Sequence, residues 1–389
     1  MGLKIICSGF LVRYPLGGKS WHEIQYLLGM KRLGHDVTYV EHFGWPGSCY
    51  DPASNIMTSN PKYGIAFLRR LLQRYGLDNW CYIAEDTTTY GMTRKQLEVL
   101  ANECDLYINH SNVNWIAELE ECSRRVLVDT DPVFTQIGSH GLGGLHTRYH
   151  VLFTYGHNVH QPFCSMPTGG LRWFPTRPPV VVDQWSVDAA IPSAPFSMVM
   201  NWSPIGDRVF EGRVYGMKER AFEPYYSLPR EIKQPMEMAV KVPQNVRDRL
   251  TSGGWQLTDP LYITRSALSY QSYLKSSRAE FSVAKHGYVA ASCGWFSERS
   301  AAYLASGRPA VIQDTGFSQW LPTGSGVIPF KTHDEAIVGI EKVNSCYDLQ
   351  CRAAREIAQE YFDSSRVLTA LIERSMNSTV NSPTVPTPE

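Results

Sequence analysis

Short apolar runs of strand length alternate with helical patterns twice along this chain. The first series opens with LKIICSGF and passes through a loop containing Gly17 and Gly18 into the helical pattern WHEIQYLLGMKRL, which stops at Gly34. It returns to a strand in HDVTYVE. A strand, loop, helix and strand of this length form a parallel crossover. CDLYINH and RRVLVDTDP read as strands on either side of a helix WIAELEEC, and YHVLFTYG as one more. Such alternation predicts an α/β fold with a doubly wound sheet covered by helices on both faces.

Between residues 161 and 196 the pattern stops. QPFCSMPTGGLRWFPTRPPVVVDQWSVDAAIPSAPF is dense in proline, which forbids long regular elements and favours stiff, extended connections. A second series follows: FSMVMNW, FEPYYSLPREI, PMEMAVKV, VRDRLTSGGW, LSYQSYLKSSR, AEFSVAK, SERSAAYLASG and RPAVIQDTG. The organisation expected is therefore a first Rossmann-like domain over 1–190, with 161–196 as its Pro-rich linker region, and a second over 197–351. Residues 352–375 are helical in pattern. The polar, Pro-rich tail 376–389 is expected to be disordered.

Composition narrows the function classes. Lys plus Arg and Asp plus Glu both number 37, so no net charge draws the chain to nucleic acid or an anionic membrane, although a local basic patch stays compatible with that balance. No apolar run approaches the roughly 20 residues that span a bilayer. The start, MGLKIICSGF, reads as a buried strand rather than a signal peptide. The nine cysteines are scattered without metal or disulfide spacing, as expected of reduced thiols in a cytoplasmic protein.

The most informative stretch is 293–316, CGWFSERSAAYLASGRPAVIQDTG. Ser297, Glu298 and Ser300 supply capping oxygens to a helix start, and Gly307 its stop. Exposed amides there, preceded by Gly294, form an anion site of the kind that holds phosphate. AEFSVAK leads into this turn and RPAVIQDTG ends in Asp314-Thr315-Gly316 at the same sheet edge. The two loops are thus placed to grip one phosphorylated ligand. Helix capping alone is the competing explanation for the serines.

This segment resembles the donor-binding region of glycosyltransferases with the two-domain GT-B fold. Ala305-Ser306-Gly307-Arg308-Pro309 is similar to the Ala-Ser-Gly-x-Pro turn of that family, and Cys293-Gly294-Trp295 with Ser297 to its His-Cys-Gly-Trp-Asn-Ser signature, with Ser292 and Phe296 in place of the His and Asn. Gly17-Gly18 and Gly34-His35-Asp36-Val37 resemble the N-terminal half of the same enzymes. The resemblance implies two Rossmann-like domains facing across a cleft, with a C-terminal helix at 352–375 crossing back to the N-terminal domain. It implies a nucleoside-diphosphate sugar as co-substrate, a UDP-sugar being the expected one, with no cofactor and no metal. The family's retaining members carry two glutamates at the positions of Gly294 and Ala302, so the pair is missing here and the stereochemical outcome stays open.

In this reading the donor is bound by Lys285, Gly294, Ser297, Glu298, Arg299, Ser300, Asp314, Thr315 and Gly316, with Arg308 a weaker cation. Lys285 or Arg299 offsets diphosphate charge, and Glu298, which would repel phosphate, meets a sugar or ribose hydroxyl. Gly17, Gly18, Asn201 and Trp202 line the cleft. His22, near the start of the first helix, is the candidate general base. Asp129 and His157 are candidate acceptor contacts, with Asp131 a second carboxylate at that strand end. Plain packing, capping and turn formation compete with each of these roles. His140, His146, His150, His157 and His160 match no compact metal-ligand spacing. A glycosyltransferase is the function expected, with a nucleotide-sugar epimerase or a non-catalytic nucleotide-sugar or glycan-binding protein as alternatives. The acceptor is open among small molecule, glycan, lipid, protein and modified DNA base.

Overall fold

The computed structural model describes residues 2–138, 144–189, 191–203 and 205–378. Two sheets organise it. The first has eight strands in the spatial order Trp173–Pro175, Val151–Thr154, Arg125–Asp129, Leu106–His110, Lys4–Ser8, Asp36–His42, Trp80–Ile83 and Thr89–Gly91. All neighbours are parallel except the final pair. The second sheet has six parallel strands, Gln256–Thr258, Met236–Val240, Phe196–Met200, Ala279–Ser282, Ala310–Gln313 and Val327–Phe330. Ile6 pairs with Thr38 on one side and Tyr107 on the other, and all three are buried. That is why these strands read as continuous apolar runs rather than as alternating ones.

Each sheet reverses its winding once. The switch lies between Lys4–Ser8 and Leu106–His110 in the first sheet, and between Phe196–Met200 and Ala279–Ser282 in the second. Loops leaving the carboxyl ends of such strand pairs frame a crevice.

Two connections differ from the sequence expectation. WIAELEEC forms only the 3₁₀ turn Ala117–Glu121, because residues 111–116 are consumed by a loop in which Ser111 and Asn112 take positive φ. Within the Pro-rich stretch, Trp173–Pro175 adds an outermost strand to the first sheet, pairing with Val151–Thr154. Proline is tolerated there because an edge strand has a free side.

The chain crosses between the sheets twice, and the crossings are joined to each other. Val180 N–H donates to Phe362 O at 2.7 Å, and Ser364 N–H donates to Val180 O at 2.8 Å. The helix Tyr347–Ile357 belongs with the second sheet, where Ala354 backs onto Gly326, and a π turn over Ala358–Phe362 bends the chain. The helix Ser364–Asn377 then lies on Gly17–Arg32, close enough that a Cβ on Gly29 would stand 2.5 Å from Leu368.

Apolar clusters bridge the two halves on both sides of the crevice. One includes Trp21 and Trp185 with Tyr270 and Phe296, and another Phe134 and Trp173 with Tyr215 and Tyr288. All nine cysteines are free thiols. Among the described residues no helix is long and apolar enough to cross a membrane.

Candidate functional site

The helix Glu298–Ala305 starts at the carboxyl edge of the second sheet, facing the helix Gly17–Arg32 of the first. Ser297 is its N-cap, and its hydroxyl accepts from Arg299 N–H at 3.2 Å. Ser300 is buried with a hydroxyl that lacks a partner. Glu298 borders a narrow gap together with Gly18, His22, Tyr26, Tyr155 and Tyr270. The gap encloses only about 10 Å³, room for a single water.

The expected cations take different stations. Arg299 turns into its own domain: its guanidinium donates to Glu280 Oε1, Val199 O and Ser282 Oγ, each at 2.8 Å. It ties the helix start to both strands of the switch point. Lys285 reaches across the crevice and donates to both oxygens of Asp131 at 2.7 Å, with Tyr288 on the same carboxylate. Arg308 is buried, donating to the carbonyls of Lys275 and Asp188.

A third cation was not visible in the sequence. Lys218 begins the short helix Lys218–Phe222 and is buried. Burial, with Arg299 and Lys285 nearby, pulls its ammonium down to about 7, against weaker support from Glu280 and Glu298. Among the described residues it makes no hydrogen bond or ion pair. Its ammonium thus lies within the electrostatic reach of two cations, Arg299 and Lys285, and two carboxylates, Glu280 and Glu298, without a direct contact to any of them.

The two loops of the 293–316 stretch hold one another. Gly294 N–H donates to Thr315 O at 2.8 Å, and Thr315 Oγ1 to Trp295 O at 2.6 Å. Asp314 accepts from Gly316 N–H at 2.9 Å and from the Ser318 hydroxyl at 2.8 Å. Asn158 from the first domain closes the knot, its amide donating to the carbonyls of Ser292 and Gly316, both at 3.0 Å. Gly294 and Gly316 have φ of +76° and +94°.

Of the first-domain candidates, His22 lies at the gap with an unpartnered Nε2. Burial, then the Lys19 charge, holds its imidazole well below its ordinary range, so it is neutral at pH 7. Its neighbour Glu23, unnoticed in the sequence, pairs with Lys19 at 2.8 Å and with His110 Nδ1 at 2.6 Å. Burial pushes the Glu23 carboxyl up, but Lys19 and His110 outweigh it and keep it ionised. The Lys19–Glu23 spacing of four was the available signal. His22, Glu23 and His110 are the one trio among the described residues placed to hold a metal ion. Lys19 already neutralises that carboxylate.

Asp129 is occupied by structure. Its carboxylate accepts from Asp131 N–H, Thr135 Oγ1, Gln136 Nε2 and Thr154 Oγ1 at 2.6–3.0 Å, which leaves no lone pair for an acceptor. His157 stacks on Trp320 of the second domain at 4.3 Å, and burial with the Arg177 charge lowers its pKa to about 4. Gly17 and Gly18 let two helices approach: a Cβ on Gly17 would stand 2.2 Å from Ser266 O, and one on Gly18 3.3 Å from the Tyr270 ring. Trp202 packs on Phe222 inside the second domain, while Asn201 is exposed. His150 and His160 accept from Arg125 and Trp173 amides; His140 and the side chain of His146 lie outside the described residues.

No family model matches the sequence, and no curated protein matches it. Solved structures do match over nearly the whole chain. An alpha-glucosyltransferase in complex with UDP and a 13-mer DNA containing an HMU base superposes with a TM-score of 0.61 at 12% identity, covering 97% of this chain and 100% of that one. HepE of Anabaena, in complex with UDP and glucose, gives 0.56 at 10% identity, covering 95% and 98%. AviGT4, a glycosyltransferase involved in avilamycin A biosynthesis, gives 0.54 at 12% identity, covering 96% and 97%. The fold is therefore GT-B: two Rossmann-like domains facing across a cleft.

Proposed function

We propose that the protein transfers a sugar from a nucleoside-diphosphate sugar, UDP-linked in the first instance, to an acceptor hydroxyl, without a metal ion. The observation that carries this is the unpaired, buried Lys218 beside the N-terminus of Glu298–Ala305 at the switch point of the second sheet. The first-turn amides and Lys218 bind the diphosphate. Lys285 joins them once it leaves Asp131. Arg299, already committed to Glu280, positions the helix rather than touching the ligand.

In the reaction the bond from the anomeric carbon to the phosphate oxygen breaks, and one to the acceptor oxygen forms. The acceptor proton passes to His22, neutral and facing the gap, while the nucleoside diphosphate leaves toward Lys218. Glu298 takes a sugar or ribose hydroxyl. Closure of the gap excludes water, which would otherwise compete as the acceptor. Gly294 and Ala302 stand where retaining relatives of this fold carry glutamates, so a binding protein without turnover is the second reading. The superposition with a DNA-bound glucosyltransferase puts duplex DNA among the acceptors to be tried, beside glycans and small hydroxylated molecules.

The test is nucleotide release and free-sugar formation from a panel of nucleotide-sugars, with and without acceptors, on the wild type and on Lys218→Met and Ser297→Asp. Selective thermal stabilisation by one nucleotide, turnover with it, and loss of both in the variants is the expected result. Binding without any turnover supports the second reading. An altered sugar formed from donor alone supports epimerisation. No binding of any nucleotide-sugar overturns the proposal.

A further inference from the structure

A second groove lies on the outer side of the interdomain crossings and takes no part in the proposed transfer. One wall is the edge segment from Phe174 to Arg177; the other is the helix Ser364–Asn377. The groove encloses about 330 Å³, within the range of small-molecule sites. Arg366, Ala370 and Arg374 recur at intervals of four and so share one face of that helix, with the small Ala370 leaving a shelf between two guanidinium groups. Arg177 enters from the opposite wall. Val367 and Leu371 form an apolar floor.

The charge here is uncompensated. Three guanidinium groups line the groove against one carboxylate, Glu360. Arg177 donates to the carbonyl of Tyr361 at 3.2 Å, which leaves its charge unneutralised. The Arg366 side chain makes no hydrogen bond or ion pair among the described residues. Arg374 only lies over the Phe174 ring, 4.9 Å from its centroid. Arginines spaced in this way present forked donors suited to phosphate oxygens, and the position is flanked by the Phe174 ring, over which Arg172 and Arg374 both lie at 4.9 Å, and by the Tyr361 ring under Arg177. Glu360 within the groove and the exposed Glu373 beside Arg374 interrupt the basic stripe, so the charge fits a compact anion better than a long polyanion.

We infer that this groove is a binding site for a small phosphorylated molecule, its phosphate held between Arg366 and Arg374 and its ring or sugar resting against Phe174. The site is separate from the one bordered by Glu298 and does not depend on the transferase reading. Both walls pack on the first sheet's half, and only Arg177, Glu360 and Tyr361 of the lining belong to the crossing segments.

Calorimetric titration of the full chain with AMP, ribose 5-phosphate and inorganic phosphate tests the inference. Saturable binding of at least one is expected, weakened by about tenfold or more in Arg366→Ala/Arg374→Ala, since each charge-assisted contact is worth roughly that much. The melting temperature of the same variant reports that the fold is intact, and a lowered value would be followed by the single variant Arg366→Gln, whose weakened phosphate binding at normal melting temperature is then the expected result. Phe174→Leu should weaken AMP while leaving inorganic phosphate unchanged. Equal affinity in wild type and double variant, binding of none of the three at millimolar concentration, or binding of a duplex oligonucleotide alone overturns it.

Discussion

Lys285 and Asp131 come from different domains, 154 residues apart, and meet at 2.7 Å on both carboxylate oxygens. The ammonium expected to neutralise a diphosphate is therefore held by a carboxylate across the crevice until a ligand competes for it. Asp131→Asn should tighten UDP binding severalfold by releasing Lys285, while Lys285→Met should weaken it. Asp131 is about a third exposed, so the pair itself stabilises the fold by about 1 kcal/mol or less. Parallel UDP titrations and thermal melts check both statements. Weaker UDP binding in Asp131→Asn would contradict the competition.

Lys218 gives a pH signature. Its folded pKa of about 7 lies below that of the unfolded chain, so the unfolded state binds more protons between about 7 and 10.5. This group alone makes stability rise with pH across that window, and its cost is fully present below it. A bound diphosphate reverses the shift. UDP binding at pH 8 should therefore take up a proton, seen as a buffer-dependent heat in calorimetry, and Lys218→Met should abolish that dependence.

Gly294 and Gly316 support the knot around Asn158. A Cβ at either would stand 2.7 Å from the Asn158 side chain, in a backbone conformation that side chains rarely adopt. Gly294→Ala and Gly316→Ala should each cost about 1–3 kcal/mol, measured by denaturant unfolding. Adding Asn158→Ala relieves the clash with that side chain but removes its two hydrogen bonds and, at Gly316, leaves the Ser292 carbonyl 2.9 Å away, so neither double variant should regain wild-type stability.

Asp129 should behave as a structural residue rather than a reacting one. Asp129→Asn replaces an acceptor of four hydrogen bonds with a group that must itself donate, and a loss of about 2–4 kcal/mol is expected. Any variant protein that remains folded should retain UDP affinity. A normal melting temperature with lost turnover would instead place Asp129 in the chemistry.

Much of the fold was legible because it is written locally. The βαβ alternation marked both sheets, and the Ser297 cap and Gly307 stop bounded the helix Glu298–Ala305 within a residue or two. The edge strand Trp173–Pro175 inside the proline-dense stretch is not legible in the sequence, because three residues carry no period to read. The role of Gly17 and Gly18 was also opaque. Glycine signals close approach, but only the packed structure shows that what approaches is the helix Ala267–Ser276.

The sequence by itself determined a GT-B-like pair of α/β domains and a Ser297-capped helix start, because capping, periodicity and turn chemistry act between residues a few positions apart. Which charges are spent and which are free was decided by tertiary structure alone. Arg299 is committed to Glu280, Lys285 to Asp131, and Asp129 to four donors, whereas Lys218 is left unpaired. The physical reason is that burial and Coulomb interactions depend on distance through space. Those distances are set by where two separate sheets place the ends of their strands.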